Sequence, residues 1–253
     1  MRKILIIGIG AGNPDYLTVQ AINALNQADV FFIPDKGTEK AALRTLRMEI
    51  CERFIEDKTY RTVDFKTPRR AEPGENYRAS VDEWHARLAA TYESLFREEL
   101  SETECGAFLV WGDPTLYDST LRIIESLRSK GFALDYDVIP GISAVQALAA
   151  QHRIALNRIG GPVLITTGRR LAEGFPDSVD DVVVMLDGDQ AFKRVAPAGL
   201  KIYWGAYLGT EAEILVSGKL SEVLQDIERI RSKARAEHGW IMDTYLLRKA
   251  EDS

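Results

Sequence analysis

Three glycines, Gly8, Gly10 and Gly12, follow the first apolar run of the chain and could bring a ligand against the backbone. The run itself, ILII at residues 4–7, is short and rich in β-branched residues, which is typical of a buried parallel strand. Glycine lets the chain turn sharply and leaves room for a ligand to approach closely. A helical pattern begins near Leu17, so the segment predicts a ligand site at the carboxyl end of a first strand.

A dinucleotide is one possible ligand for this turn. The dinucleotide fingerprint has glycine at its first, third and sixth positions, but the sixth position counted from Gly8 is Asn13. Asp35, which comes after the next apolar run, could still act as the acid that binds the ribose. A tight turn of this kind could also bind no ligand at all, so the glycines alone do not identify the ligand.

Two later loops have a similar character. The loop GDPTLY at residues 112–117 follows an apolar run, and so does the loop PGISA at residues 140–144. Asp113 in the first of these loops carries a carboxylate that can accept hydrogen bonds from a ligand or from the turn itself. Because the carboxyl ends of parallel strands lie at one edge of a sheet, the three loops together predict a ligand groove.

Hydrophobic periodicity predicts the elements that would position these loops. Buried strands are predicted at residues 4–7, 30–33, 107–110 and 134–139, and helices at residues 38–53, 80–100 and 145–150. Asp118 or Ser119 is expected to cap a helix between the last two of these strands. Residues 60–76, which contain prolines and a glycine, predict a loop.

The second half of the chain begins after a segment with two glycines and a proline at residues 156–162. Strands are predicted beyond it at residues 163–166, 182–186, 201–207, 214–216 and 240–247. A helix is predicted at residues 221–235, with Ser221 as its N-cap. We therefore predict an α/β protein with a mostly parallel domain at residues 1–157 and a domain with a mixed sheet at residues 158–253.

Composition limits the class of protein. The 253-residue chain has 45% hydrophobic and 28% charged residues, which is ordinary for a globular protein. Its formal net charge of -6 argues against general nucleic-acid binding. Its apolar runs are too short to span a membrane or to form a signal peptide, so we expect neither a membrane span nor secretion.

Cysteine and histidine usage points away from disulfides and metals. Cys51 and Cys105 are too far apart in the sequence for a metal-binding pair, and we expect both to be reduced thiols in a cytoplasmic protein. The three histidines, His85, His152 and His238, share no metal-ligand spacing. We expect them to be surface or capping residues, and we expect no metal site.

The loops taken together resemble those of the tetrapyrrole methylase family, whose members are two-domain α/β enzymes that use S-adenosylmethionine. The matching segments stand in the family's order along the whole chain. They are GIGAGNPDYLT at residues 8–18, GDPTLY at residues 112–117, PGISA at residues 140–144 and VVVMLDG at residues 182–188. Many members have proline where this chain has Ala11, aspartate where it has Asn13 and threonine where it has Lys219.

Three longer segments narrow the resemblance to members that methylate a precorrin and release acetate. They are GDPTLYDSTLRI at residues 112–123, TPRRAEPGENYR at residues 67–78 and WGAYLGTEAEILVSG at residues 204–218. The resemblance implies methylation of carbon 1 of precorrin-5 by a cytoplasmic homodimer. Rival hypotheses are methylation of another precorrin carbon, of diphthine or of ribosomal RNA, a nonenzymatic tetrapyrrole carrier and a nucleotide-dependent oxidoreductase.

The resemblance also implies roles for individual residues. It implies contacts with S-adenosylmethionine at Ile9, Gly112, Asp113, Leu116, Ser143, Ala144, Met185 and Leu208, where the second domain completes the cleft. Substrate contacts are expected at Gly10, Ala11, Asn13, Arg69, Arg70 and Arg169, with Arg170 beside them, because arginine pairs well with the carboxylates of a precorrin. Asp113 or Tyr117 is the candidate for activating the water that releases acetate.

Overall fold

The computed structural model describes residues 1–35, 41–68, 77–196 and 198–250. The chain divides into two compact units, and each is built on a five-stranded sheet. Unit 1 takes its residues from Met1–Gly10 and Pro14–Ile142. Unit 2 takes its residues from Ala11–Asn13 and from Ser143 onward. The predicted α/β class, with two sheets, is confirmed.

The sheet of unit 1 is parallel throughout, with strand order β3-β2-β4-β1-β5. Its strands are β1 (Arg2–Gly8), β2 (Val30–Asp35), β3 (Arg61–Lys66), β4 (Cys105–Val110) and β5 (Leu134–Ile139). β1 lies between β4 and β5, and Gly8 is in register with Val110. The three glycine-bearing loops therefore leave neighbouring strands at the same edge of the sheet.

Helices cover both faces of this sheet, which explains the continuous apolar run of β1. The helices of unit 1 are α1 (Val19–Leu25), α2 (Ala41–Phe54), α3 (Tyr77–Glu99) and α4 (Thr120–Ser129). Ile4 and Ile6 pack into the cluster that contains residues of α3 and α4. Leu5 and Ile7 pack into the cluster that contains residues of α1 and α2. Successive side chains of a strand point to opposite faces, so each residue of the run is buried.

Unit 2 has a mixed sheet with strand order β6-β7-β10-β8-β9. Its strands are β6 (Val163–Thr167), β7 (Asp181–Met185), β8 (Leu200–Ala206), β9 (Ile214–Lys219) and β10 (Asp243–Lys249), and its helices are α5 (Ala144–His152), α6 (Gly168–Leu171) and α7 (Leu220–His238). β6 and β7 pair in parallel, whereas β10 is antiparallel to β7 and β8. The described part of the chain contains no helix with the length and apolarity needed to cross a membrane.

Two local features differ from the sequence-based expectations. β3 lies within residues 60–76, which predict a loop; its burial pattern alternates weakly, and the strand lies at the edge of the sheet. The N-cap of α7 is Lys219 rather than Ser221, because the helix starts directly after β9. α5 packs against β8 and β10 and is grouped with unit 2, while the division into domains at residues 1–157 and 158–253 stays a prediction.

Candidate functional site

The loops that follow β1 and β4 are joined by a pair of backbone hydrogen bonds. The amide of Gly112 donates to the carbonyl of Gly10 at 2.8 Å, and the amide of Gly10 donates to the carbonyl of Gly112 at 3.2 Å. Both residues have positive φ, 79° for Gly10 and 71° for Gly112. Glycine adopts this conformation at little cost, so the sequence itself allows the two turns to meet.

The loop that follows β5 approaches the same two turns. A Cβ atom placed on Gly141 would lie 2.2 Å from the carbonyl oxygen of Gly112 and 2.9 Å from the Cα of Gly8. The amide of Gly141 donates to Oδ2 of Asp113 at 2.8 Å. Within unit 1, therefore, the predicted convergence of the loops after β1, β4 and β5 is observed.

Asp113 is tied to its surroundings through both carboxylate oxygens. Oδ1 accepts a 2.8 Å hydrogen bond from the amide of Thr115 and a second bond from the hydroxyl of Thr115. Oδ2 accepts the bond from Gly141. The carboxylate thus fixes the turn at residues 112–117 and links it to the next loop. Its hydrogen bonds therefore position the two loops.

Tyr117 ends the same turn in a left-handed conformation, with φ of 53°. Tyr117 is 44% exposed and lines a cavity of about 440 Å³. Partial burial raises the pKa of its phenol above the ordinary value. A non-glycine residue with positive φ next to a cavity is typical of a functional position.

This cavity, the α3/α4 cavity, lies entirely in unit 1, where the carboxyl ends of β2, β3 and β4 face α3 and the start of α4. Arg47 lines it and is 4% exposed. Its Nε donates to the carbonyl of Leu109 and its Nη1 to the carbonyl of Leu43, both at 2.9 Å. Trp111 also lines the cavity, and its buried Nε1 has no hydrogen-bond partner among the described residues. Arg47 and Trp111 therefore place a buried positive charge and an unpartnered N–H group in the wall of this cavity.

In unit 2, the predicted cofactor residues Ser143 and Ala144 start α5. Oγ of Ser143 accepts from the amide of Val145 at 3.2 Å, and Oε1 of Gln146 accepts from the amide of Ser143 at 3.1 Å. This capping box fixes the first turn of α5. Gly12 belongs to unit 2 as well, and a Cβ atom on it would lie 2.5 Å from the carbonyl oxygen of Leu208.

Met185 ends β7 and leads into a turn that is stabilised by a buried carboxylate. Leu186 has φ of 54° and is 66% exposed, whereas Asp187 is buried. Oδ2 of Asp187 accepts from the hydroxyl of Tyr245 at 2.6 Å and from the amide of Ala191 at 2.7 Å. The buried carboxylate thus fixes the end of the segment VVVMLDG. The family resemblance associates this segment with the cofactor.

Only one of the two arginine doublets lies within the described residues. Arg69 and Arg70 lie outside the described residues. Arg169 and Arg170 lie exposed on α6 in unit 2, and Arg170 pairs with Glu173 at 3.1 Å. The remaining predicted substrate residues, Gly10, Ala11 and Asn13, lie in the first loop described above.

Histidine and cysteine side chains form no metal cluster in the described part of the chain. Burial raises the pKa of the Cys51 thiol to about 12 and that of Cys105 to about 11, so both thiols are protonated and unreactive near neutral pH. Nε2 of His152 donates to the carbonyl of Trp204 at 3.0 Å. His85, expected at the surface or in a cap, is half-buried, and its Nε2 lies 2.9 Å from Oγ of Ser119, the N-cap residue of α4.

Sequence reasoning missed the residues that give the α3/α4 cavity its polarity. Arg47 stands in a helix with several other basic residues, and no pattern marks it as buried. Trp111 could have been found, because it stands between a buried strand and Gly112. The contact between His85 and Ser119 joins residues 34 positions apart, so local pattern gives no sign of it.

Comparison with known proteins agrees with the geometry. The family model for Tetrapyrrole (Corrin/Porphyrin) Methylases matches residues 3–224. A precorrin-6A synthase [deacetylating] from Sinorhizobium sp. is 58% identical over 253 residues, which is 100% of this chain and 97% of that protein.

Solved structures show the same fold. A cobalamin synthesis related protein from Corynebacterium diphtheriae superposes with a TM-score of 0.84 at 42% identity, over 99% of this chain and 100% of that chain. A uroporphyrin-III C-methyltransferase from Thermus thermophilus, solved with S-adenosyl homocysteine, superposes with a TM-score of 0.60 over 98% of this chain and 97% of that chain. Its identity of 17% supports likeness of fold alone.

Proposed function

Because the chain belongs to the tetrapyrrole methylase family, we infer that it is an S-adenosylmethionine-dependent methyltransferase of cobalamin biosynthesis that releases acetate, a precorrin-6A synthase. The observation that carries this inference is the 58% identity to such an enzyme over the full length of this chain. Methylation of carbon 1 of precorrin-5 is the specific reaction that we propose. A nonenzymatic carrier and an oxidoreductase have no comparable support.

The residues of the three loops fit a methyl donor held mainly by backbone groups. Gly141 lies so close to Gly112 that a Cβ atom on Gly141 would be 2.2 Å from the carbonyl oxygen of Gly112, and Asp113 links the two loops. We propose that Ile9, Gly112, Asp113 and Leu116 contact S-adenosylmethionine from unit 1. We propose the same role in unit 2 for Ser143, Ala144, Met185 and Leu208.

S-adenosylmethionine supplies a methyl group on a positively charged sulfur, and the transfer is an in-line displacement. The protein therefore has to orient the accepting carbon and exclude water, and it needs no covalent intermediate for this step. The two hydrogen bonds between Gly10 and Gly112 and the bonds to Asp113 make the loop edge rigid. Rigid positioning is the contribution that these residues make.

Substrate binding requires cations, since a precorrin carries several carboxylates. We propose that Arg169 contributes one, with Arg69 and Arg70 contributing from the segment outside the described residues, and that Gly10, Ala11 and Asn13 line the path of the macrocycle. We also propose that Tyr117 contacts the substrate, because it is exposed and lines the α3/α4 cavity. A cytoplasmic homodimer is the assembly that we propose, and light scattering of the purified protein would test the dimer.

A thermal shift screen tests the cofactor assignment without the unstable substrate. S-adenosylhomocysteine should raise the melting temperature, by an amount that increases with its concentration, because it binds the folded state alone. Nicotinamide dinucleotides serve as the matched comparison and should leave the melting temperature unchanged. Stabilisation by a nicotinamide dinucleotide and not by S-adenosylhomocysteine would support an oxidoreductase instead.

A further inference from the structure

The pair formed by His85 and Ser119 has the arrangement of a base and a nucleophile. Nε2 of His85 lies 2.9 Å from Oγ of Ser119, and both residues are partly buried. Which atom donates depends on the tautomer of the imidazole. A serine hydroxyl at this distance from a histidine nitrogen is the combination that activates serine for attack on a carbonyl carbon.

The hydroxyl of Ser119 is not used to cap a helix, unlike that of many serines at this position. It is the N-cap residue of α4, but its side chain makes no capping hydrogen bond. The neighbouring Asp118 instead accepts from the amide of Thr120 at 2.7 Å. The hydroxyl of Ser119 is therefore directed to His85 rather than to the helix, and Ser119 lines the α3/α4 cavity.

The same cavity contains donors for an oxyanion. The guanidinium of Arg47 is buried, and among the described residues it forms no ion pair. Burial lowers the pKa of Arg47 to about 10, so the group still carries its charge near neutral pH. Nε1 of Trp111 is buried and has no hydrogen-bond partner among the described residues. A buried cation and an unpartnered N–H group beside one cavity favour a small carboxylate or a developing oxyanion.

We propose that Ser119 is the nucleophile and His85 the base that remove the acetyl group of the substrate, with Arg47 and Trp111 binding the acyl oxygen and the acetate product. The proposal rests on the proposed function for the presence of an acetyl group. It assigns to His85 and Ser119 the activation expected from the sequence for Asp113 or Tyr117. Asp113, whose carboxylate oxygens already accept three hydrogen bonds, keeps the positioning role.

The first half of the reaction transfers the acetyl group to the protein. Oγ of Ser119 attacks the acetyl carbonyl carbon, and its proton passes to Nε2 of His85. The bond between the acetyl carbon and the macrocycle breaks, and its electron pair stays on the macrocycle as the nucleophile that methylation needs. His85 then releases the proton to solvent.

The second half restores the serine. Water attacks the acetyl ester on Ser119 and gives a proton to His85. The ester bond breaks, Oγ of Ser119 recovers the proton from His85, and acetic acid leaves and ionises to acetate. The sum of both halves consumes one water and releases one acetate, and it needs no oxidant or reductant.

Mass spectrometry of quenched reactions tests this proposal directly. During turnover with precorrin-5 and S-adenosylmethionine, the peptide that contains Ser119 should carry one acetyl group. Ser119→Ala and His85→Gln should lower the rate of acetate release by ~10²-fold or more. Ser129→Ala, at the exposed end of the same helix, is the matched control and should leave the rate unchanged. Melting temperatures with S-adenosylhomocysteine should show that Ser119→Ala and His85→Gln fold and still bind the cofactor product.

The activated ester p-nitrophenyl acetate separates this proposal from the proposed function. Without any S-adenosylmethionine, it should acetylate Ser119 in the native protein and leave Ser119→Ala unlabelled at that peptide. A folded Ser119→Ala variant that releases acetate at the wild-type rate overturns the proposal, and so does a peptide that stays unacetylated with both substrates. Absence of S-adenosylhomocysteine formation in the native protein, by contrast, overturns the proposed function.

Discussion

Oδ2 of Asp113 accepts a hydrogen bond from the amide of Gly141, with 2.8 Å between the two atoms. This bond joins the loop after β4 to the loop after β5, whose strands are separated in the sheet by β1. The bond thereby fixes the positions of these two glycine-bearing loops of unit 1 relative to each other.

Replacing Asp113 by alanine should loosen the loop edge. The change leaves the amides of Gly141 and Thr115 without their acceptor, which costs about 1–3 kcal/mol of unfolding free energy if the amides stay shielded from water. Affinity for S-adenosylhomocysteine should fall at the same time. Urea unfolding and calorimetry measure the two effects, with a change at an exposed residue of β5, Asp135→Ala, as the control. Unchanged stability and affinity would refute the positioning role.

Gly141→Ala should be far more damaging than an alanine at another loop glycine. The new Cβ would lie 2.2 Å from the carbonyl oxygen of Gly112, so the backbone of both loops has to move. Gly161→Ala places its Cβ no closer than 3.4 Å to any neighbour and should be tolerated. Thermal melts with and without S-adenosylhomocysteine compare the two variants. Equal behaviour of the two would mean that the loops are not closely packed.

The ion pair of Arg231 and Asp243 should be essential for unit 2. Nε of Arg231 lies 2.9 Å from Oδ2 of Asp243, and both side chains are buried. Arg231→Met leaves the carboxylate without its cation, which should cost ~3–5 kcal/mol of unfolding free energy. Arg229→Met, on the exposed face of the same helix, removes a surface pair with Asp226 and should cost about 0–1 kcal/mol. Similar losses in both variants would contradict this account.

His152 should make the stability of the protein depend on pH. Burial lowers its pKa below the ordinary value of 6.5, so the folded state favours the neutral imidazole. Its contribution is therefore present above the pKa of the unfolded chain and is lost as the pH falls through the lower, folded value. His152→Gln should flatten the decline in unfolding free energy between about pH 7 and about pH 5. An identical decline in both proteins would exclude His152 as a cause.

The sequence predicts the sheet of unit 1 well because its signals are local. A buried parallel strand is apolar on both faces, so the run at residues 4–7 could be recognised without knowledge of its neighbours. β3 escaped prediction because its half-exposed residues, among them Arg61 and Asp64, do not alternate clearly. The glycines after β1, β4 and β5 could be placed at one edge because parallel strands share their direction.

The polar side chains of the site depend on contacts that no local pattern records. Asp113 was recognised from its motif, but its bond to Gly141 spans 28 residues of the chain. Arg47 looks like any basic residue of an amphipathic helix, and only the packing of α2 against the sheet buries it. Position within a motif thus predicts which loops matter, whereas burial and long-range contacts decide which side chains have polar groups to offer.

The product analysis of one reaction tests the central claim most directly. Purified protein is incubated with precorrin-5 and S-adenosylmethionine, and both S-adenosylhomocysteine and acetate are quantified over time. We expect the two products to form in equal amounts. When S-adenosylmethionine is omitted, neither product should accumulate over many turnovers. S-adenosylhomocysteine without acetate would assign methylation to another precorrin position, and the absence of both products would contradict the account.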